Sequence, residues 1–129
     1  MTWLFKKVKS LEQEEENEDL VREGINLHHD LYISIPDAVL GCNVAIPTIN
    51  GKAKINIPGG VQSGKILRLK SKGIPDIESS YRGDLLVHIN IWTTENITKE
   101  QQDFFEKNKK AQEFKPKPNG QKSFFEKVQ

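Results

Sequence analysis

The sequence predicts an all-β fold: a small two-layer β-sandwich-like domain with one short helical turn and a C-terminal α-helix. Three observations carry this. Apolar and polar residues alternate with period two through most of residues 27–111. An Asn-Gly pair, Asn50-Gly51, lies between two such alternating runs, the strongest short-range signal of a β-hairpin. Strands and helices do not alternate at the spacing that a parallel α/β sheet requires.

The first strand is Asp30–Ile35, with Leu31, Ile33 and Ile35 on one face. Pro36 to Leu40, closed by Gly41, is long enough only for a single helical turn. Asn43–Ile49 and Lys52–Ile57 form the hairpin, with a type I′ turn expected at Asn50-Gly51 because that turn needs positive φ twice. Lys65–Lys70 is the next strand, with Leu67 and Leu69 inward. Asp84–Trp92 is the most apolar, with Leu85, Val87, Ile89 and Ile91 inward and His88 and Asn90 outward. The one helix starts at Thr98, whose hydroxyl caps the first turn while Gln101 reaches back as a capping box. It runs to about Lys110 and presents Phe104 and Phe105.

Composition bounds the rest. The chain has 129 residues, enough for one domain with tails; 36% are hydrophobic and 29% charged, which suits a core with solvated ends. A net charge of +1 gives no global attraction to nucleic acid or to an anionic membrane. One cysteine, Cys42, excludes an internal disulfide and any multi-cysteine zinc site. No apolar stretch approaches the ~20 residues of a membrane span, and Lys6 and Lys7 interrupt the N-terminus before a signal peptide can form. The expectation is a soluble protein of a reducing compartment, the cytoplasm. Residues 12–19 hold six acids and read as a solvated linker or edge. Before them Trp3, Leu4, Phe5, Val8 and Leu11 fit a short amphipathic helix or a strand. The expected parts are therefore 1–19, an N-terminal remnant and acidic linker; 20–97, the β-domain; and 98–129, the helix and tail.

Candidate chemistry is sparse. Gly59-Gly60-Val61-Gln62-Ser63-Gly64-Lys65 has the glycine-lysine frame of a phosphate-binding loop, but Ile66 replaces the Ser or Thr that would hold magnesium. Ile66-Leu67-Arg68-Leu69-Lys70 alternates like a strand where such a loop would open a helix, so a glycine-rich turn is the better reading. His28 and His29 point to opposite faces of an extended segment and cannot together chelate one ion. Cys42 has no activating base nearby in sequence. Asp76, Glu78 and Asp84 frame no acid/base pair. From the sequence no catalytic, metal or cofactor site is expected. Two features ask for a partner. Phe124, Phe125 and Val128 return as apolar residues beyond a Lys/Pro-rich connector, which suits docking on their own domain or on a second copy of the chain. The sheet offers an apolar face and a main-chain edge to an extended peptide, unless Pro47, Lys52 and Lys54 blunt it.

A string of motifs resembles one family. Asp30-Leu31-Tyr32-Ile33, Ala38-Val39-Leu40-Gly41, Ile46-Pro47-Thr48-Ile49-Asn50-Gly51-Lys52, Ile57-Pro58-Gly59-Gly60-Val61-Gln62-Ser63-Gly64-Lys65, Leu67-Arg68-Leu69-Lys70-Ser71-Lys72-Gly73-Ile74-Pro75 and Arg82-Gly83-Asp84-Leu85-Leu86-Val87 occur in this order. Together they are similar to the C-terminal region of DnaJ-type co-chaperones, the forty-kilodalton heat-shock proteins. Arg22–Leu27 resembles the connector between that family's two C-terminal β-domains, and Lys122–Val128 its extreme C-terminus. The resemblance spans about residues 20–129.

It implies the second C-terminal β-domain and the dimerisation tail of such a protein. Expected partners are unfolded or non-native polypeptides, a second copy of the chain, and an indirect link to the seventy-kilodalton heat-shock chaperone. The His-Pro-Asp tripeptide of the family's J domain is absent; Ile-Pro-Asp occurs twice, at 35–37 and 74–76. The Gly/Phe-rich segment, the cysteine-rich zinc repeats and most of the first β-domain are absent as well. Client contact is expected near Leu31, Ile33, Val44 and Ile46, residues that equally suit a core, and dimerisation at Phe104, Phe105, Phe124, Phe125 and Val128. The alternative is a structural or dimerisation module, or a truncated remnant, without client binding of its own.

Overall fold

The computed structural model describes residues 20–118 and, nearer the N-terminus, the backbone of two short strands. These are β1 (Lys7–Ser10) and β2 (Gln13–Glu16), an antiparallel pair with Lys7 opposite Glu16. Val8, one of the apolar N-terminal residues, is thus in a strand, and so is the Gln13–Glu16 part of the acidic run, while Trp3, Leu4, Phe5 and Leu11 lie outside the described residues. Phe124, Phe125 and Val128 lie outside the described residues.

The main sheet has four strands in the order β3 (Val21–Glu23), β4 (Asn26–Ser34), β8 (Leu85–Trp92) and β7 (Ile66–Leu69). Its centre is a parallel pair, β4 with β8, in register from Leu27 opposite Leu85 to Ser34 opposite Trp92. The Leu27 amide donates to the Asp84 carbonyl at 2.9 Å and extends that ladder by one bond. The sequence leaves the direction of this pairing unread. Local alternation records which face a residue takes and says nothing of which way a distant strand runs. The crossover between the parallel strands is not a helix alone but α1 (Ile35–Leu40), the hairpin β5 (Cys42–Thr48) and β6 (Gly51–Ile57), and β7.

α1 is the expected single turn, begun one residue earlier. Ser34 Oγ accepts from the Asp37 amide at 3.1 Å, Pro36 sits in the first turn, and Gly41 at φ 89° ends it. In the hairpin the observed turn differs from the expected one. Thr48 pairs with Gly51, so Ile49 and Asn50 make the turn, and only Gly51 has a positive φ, 142°. Ile49 packs against the core instead of entering the ladder. The glycine is used as the first strand residue after the turn. The Gly59–Lys65 segment is irregular, and Gly64 donates to the Ile89 carbonyl at 2.8 Å, a strand-joining turn as read from the sequence.

One core serves the sheet, α1 and the hairpin. Leu27, Ile33, Leu85, Val87 and Ile89 come from the sheet, Ala38 from α1, Ile46 and Ile57 from the hairpin, and Leu20 and Ile74 from flanking segments. The alternation of buried and open residues along β4 and β8 is what a sheet covered on one face requires, and it gives the two-layer architecture. The loop after β7 is pinned to this core: the Ile74 amide donates to the Ile25 carbonyl, in the turn between β3 and β4, at 2.7 Å, and Gly73 and Gly83 approach the same carbonyl closely. Residues 95–118 belong to a second compact unit. It contains α2 (Lys99–Asn108), with the expected capping box between Thr98 and Gln101, and a 3₁₀ turn at Gln112–Phe114. No helix among the described residues is long and apolar enough to cross a membrane.

Candidate functional site

The four residues expected near a client groove lie on the inner side of the two layers. Ile33 is 4% exposed and Ile46 fully enclosed, so both are core side chains; Leu31 and Val44 are half-buried and pack against that core. Of the two readings that the sequence leaves open for these residues, groove and core, the burial of Ile33 and Ile46 fits the core. Ile33 shares a parity with Leu27 along β4, while Ile46 belongs to the hairpin, where Ile57 also turns inward; strand alternation commits each set to the core.

The apolar surface a polypeptide can reach is on the other face of the sheet. Tyr32 and Trp92 are 61% and 56% exposed, and their rings meet edge-to-face at 6.2 Å. The parallel register makes this pair: Trp92 is opposite Ser34, two residues beyond Tyr32. Ile66 of β7, half exposed, stands on the same face opposite His88. β3 flanks only Asn26–His28 of β4, so the part of β4 that carries Tyr32 runs past the end of β3.

Between these apolar residues lies a polar chain. His28 Nδ1 and His88 Nε2 are 2.8 Å apart, and His28 Nε2 is 2.7 Å from Glu23 Oε1. The two imidazole rings lie 5.1 Å apart. His28 and His29 take opposite faces as expected, but no local pattern signals that His28 meets His88; only the parallel pairing brings them together. Among the described residues no three His, Cys, Asp or Glu side chains converge as a closed metal site.

Elsewhere, Asp84 anchors the loop after β7. Its carboxylate accepts from the Ser71 amide at 3.0 Å and pairs with Arg68. The Ser71 hydrogen bond, and after it the Arg68 guanidinium, hold the carboxyl below its ordinary range. Cys42 is half-buried; loss of solvent, and then the negative charge of Asp37, push its thiol up, away from the reactive thiolate. It lines an open cleft of about 350 Å³ with Leu40, Asn43, Asn56 and Pro58. In the second unit Phe104 and Phe105 are 54% and 43% exposed and meet edge-to-face at 5.7 Å.

Comparison with known proteins identifies the architecture. The DnaJ C terminal domain family matches residues 8–94. The chain is 38% identical to a "Chaperone protein DnaJ" of Salinibacter ruber over 119 residues, which cover 90% of this chain and 31% of that protein. It is 42% identical to a protein of the same name from Bacteroides thetaiotaomicron over 117 residues, covering 91% of this chain and 30% of the relative. A third, from Herminiimonas arsenicoxydans, is 46% identical over 82 residues, 64% of this chain and 22% of its own length. The chain thus spans about three tenths of the length of the first two relatives. With the β-domain and the ordered string of motifs it is built from, these matches place the chain in the DnaJ C-terminal domain family.

Proposed function

We propose that this chain binds extended apolar segments of non-native polypeptides and pairs with a second copy through its C-terminal residues. It would do so as part of a co-chaperone whose link to the seventy-kilodalton heat-shock chaperone runs through other segments. The observation that carries the reading is the family match across residues 8–94. The outer face of the sheet supports it. Tyr32, Trp92 and Ile66 give a bound segment apolar contact, and the stretch of β4 beyond β3 lies beside them. Of the four residues expected at a client groove, Leu31 and Val44 are half-buried and remain accessible in part. Phe104 and Phe105, together with Phe124, Phe125 and Val128, are the residues proposed for pairing.

The test is fluorescence anisotropy of a labelled apolar peptide titrated with the chain. Saturable binding is expected, and Tyr32→Ala with Trp92→Ala should weaken it at least tenfold, since truncated aromatic anchors commonly cost more than about 1 kcal/mol. Saturable binding that the double variant leaves unchanged would move the contact off this face. Absence of saturable binding would favour the second reading, a module that only spaces and pairs larger chains. The burial of Ile33 and Ile46 supports that second reading, because both side chains are taken up by the core.

A further inference from the structure

We propose that His28 and His88 form a two-imidazole chelate for a divalent transition-metal ion on the outer face of the four-stranded sheet, with Glu23 as its positioning carboxylate. The ions that fit are Cu²⁺, Ni²⁺ and Zn²⁺. In the metal-free protein the 2.8 Å contact between His28 Nδ1 and His88 Nε2 is a hydrogen bond, so one ring donates and the other accepts. Glu23 Oε1, 2.7 Å from His28 Nε2, decides which. A carboxylate accepts, so His28 carries its proton on Nε2 and directs the Nδ1 lone pair toward His88. A histidine whose far nitrogen donates to a carboxylate is the arrangement that fixes tautomer and ring orientation in metal sites.

The geometry needs little change to admit an ion. Two nitrogen ligands bound at about 2.0–2.1 Å to one ion, at angles between square and tetrahedral, stand about 2.9–3.4 Å apart. The two nitrogens therefore separate by a few tenths of an ångström while the rings turn to converge their lone pairs. The proton on His88 Nε2 passes through solvent to its Nδ1, so no net proton is released and no electron moves. The surrounding charge suits a cation. Asp30 lies opposite His88 in the register and two residues beyond His28 on the same face. The nearest guanidinium on β7, Arg68, is engaged by Asp84. Water, or a donor from another molecule, completes the coordination. Imidazole donors select against Mg²⁺ and Ca²⁺, and Cu²⁺ is the tightest of the three.

The experiment is a titration of the full chain with Zn²⁺, monitored by two-bond ¹H–¹⁵N NMR of the histidine rings, with calorimetric titration of Cu²⁺ alongside. Zn²⁺ is expected to shift His28 Nδ1 and His88 Nε2 and to leave His29, on the opposite face, unmoved; Mg²⁺ shifts none. His28→Gln and His88→Gln should each lower Cu²⁺ affinity at least tenfold, and Glu23→Gln several-fold. Circular dichroism establishes that each variant is folded, and for one that is not, the ring NMR of the parent chain decides alone. Three results would overturn the proposal: no saturation of the parent, an isotherm unchanged in His28→Gln/His88→Gln, or dependence on only one of the two histidines.

Discussion

Gly83 has no room for a side chain: a Cβ there would land on the carbonyl of Ile25, which already accepts the Ile74 amide. Because that obstacle is backbone, it cannot turn aside as a side chain would. Gly83→Ala should destabilise the fold by about 2–3 kcal/mol, read as a lower urea midpoint at unchanged slope. Next to it, Asp84 makes stability depend on pH. Its folded carboxyl is held below the unfolded value of about 3.9, so it binds a proton less readily folded than unfolded. The resulting stabilisation is present above that unfolded value and is lost as pH falls through the lower, folded one. Thermal midpoints of the parent and of Asp84→Asn should run parallel above about pH 5 and converge below about pH 4. Curves that stay parallel into the acid range would assign the loop's stability to other groups. The sequence displays Asp84 only as a carboxylate near a loop. That Ser71, at φ 63°, and Arg68 converge on it is set by the turn after β7, which no periodicity encodes.

The elements are legible in the sequence where a decision is local. Period two marks β4, β7 and β8, and the capping box marks α2, because alternation and caps act within a few residues. The hairpin is legible too, yet its turn is displaced, since Asn-Gly satisfies two designs: a turn that uses both residues at positive φ, or one that ends on the glycine. Ile49, by packing on the core, selects the second. This choice has a measurable consequence. Asn50→Ala should change stability by less than about 0.5 kcal/mol, because Asn50 has an ordinary negative φ. Gly51→Ala should cost about 1 kcal/mol or more, because only Gly51 departs from the conformations of other residues. A large loss in Asn50→Ala would restore the type I′ turn. Illegible from sequence are the parallel pairing of β4 with β8 and everything it assembles. Tyr32 with Trp92 and His28 with His88 each join strands about 60 residues apart in sequence, a separation at which alternation carries no register. For the same reason Ile33 and Ile46 are open to two readings until the layers are in place.

At the scale of the whole molecule the proposed pairing of two chains can be weighed before it is measured. Fully burying a phenylalanine side chain contributes roughly 1.5–3 kcal/mol. Phe124 and Phe125 from both copies therefore contribute about 6–12 kcal/mol in a two-fold dimer. Association itself costs about 4–15 kcal/mol in lost freedom. On this balance the tail alone makes at best a weak dimer, and a tight one needs more apolar surface. α2 has it: none of its residues is buried, and Phe104 and Phe105 stand open. Each of the two pairs should then be necessary. In sedimentation velocity at micromolar concentration the parent chain is expected to run as a dimer. Phe104→Ala/Phe105→Ala and Phe124→Ala/Phe125→Ala should each raise the dissociation constant at least a hundredfold, about 2.7 kcal/mol, and leave a folded monomer. A pair whose removal leaves the mass unchanged is not part of the seam. If the parent is itself monomeric, pairing is not a property of this chain, and two weak polypeptide sites are not joined by it into one strong one.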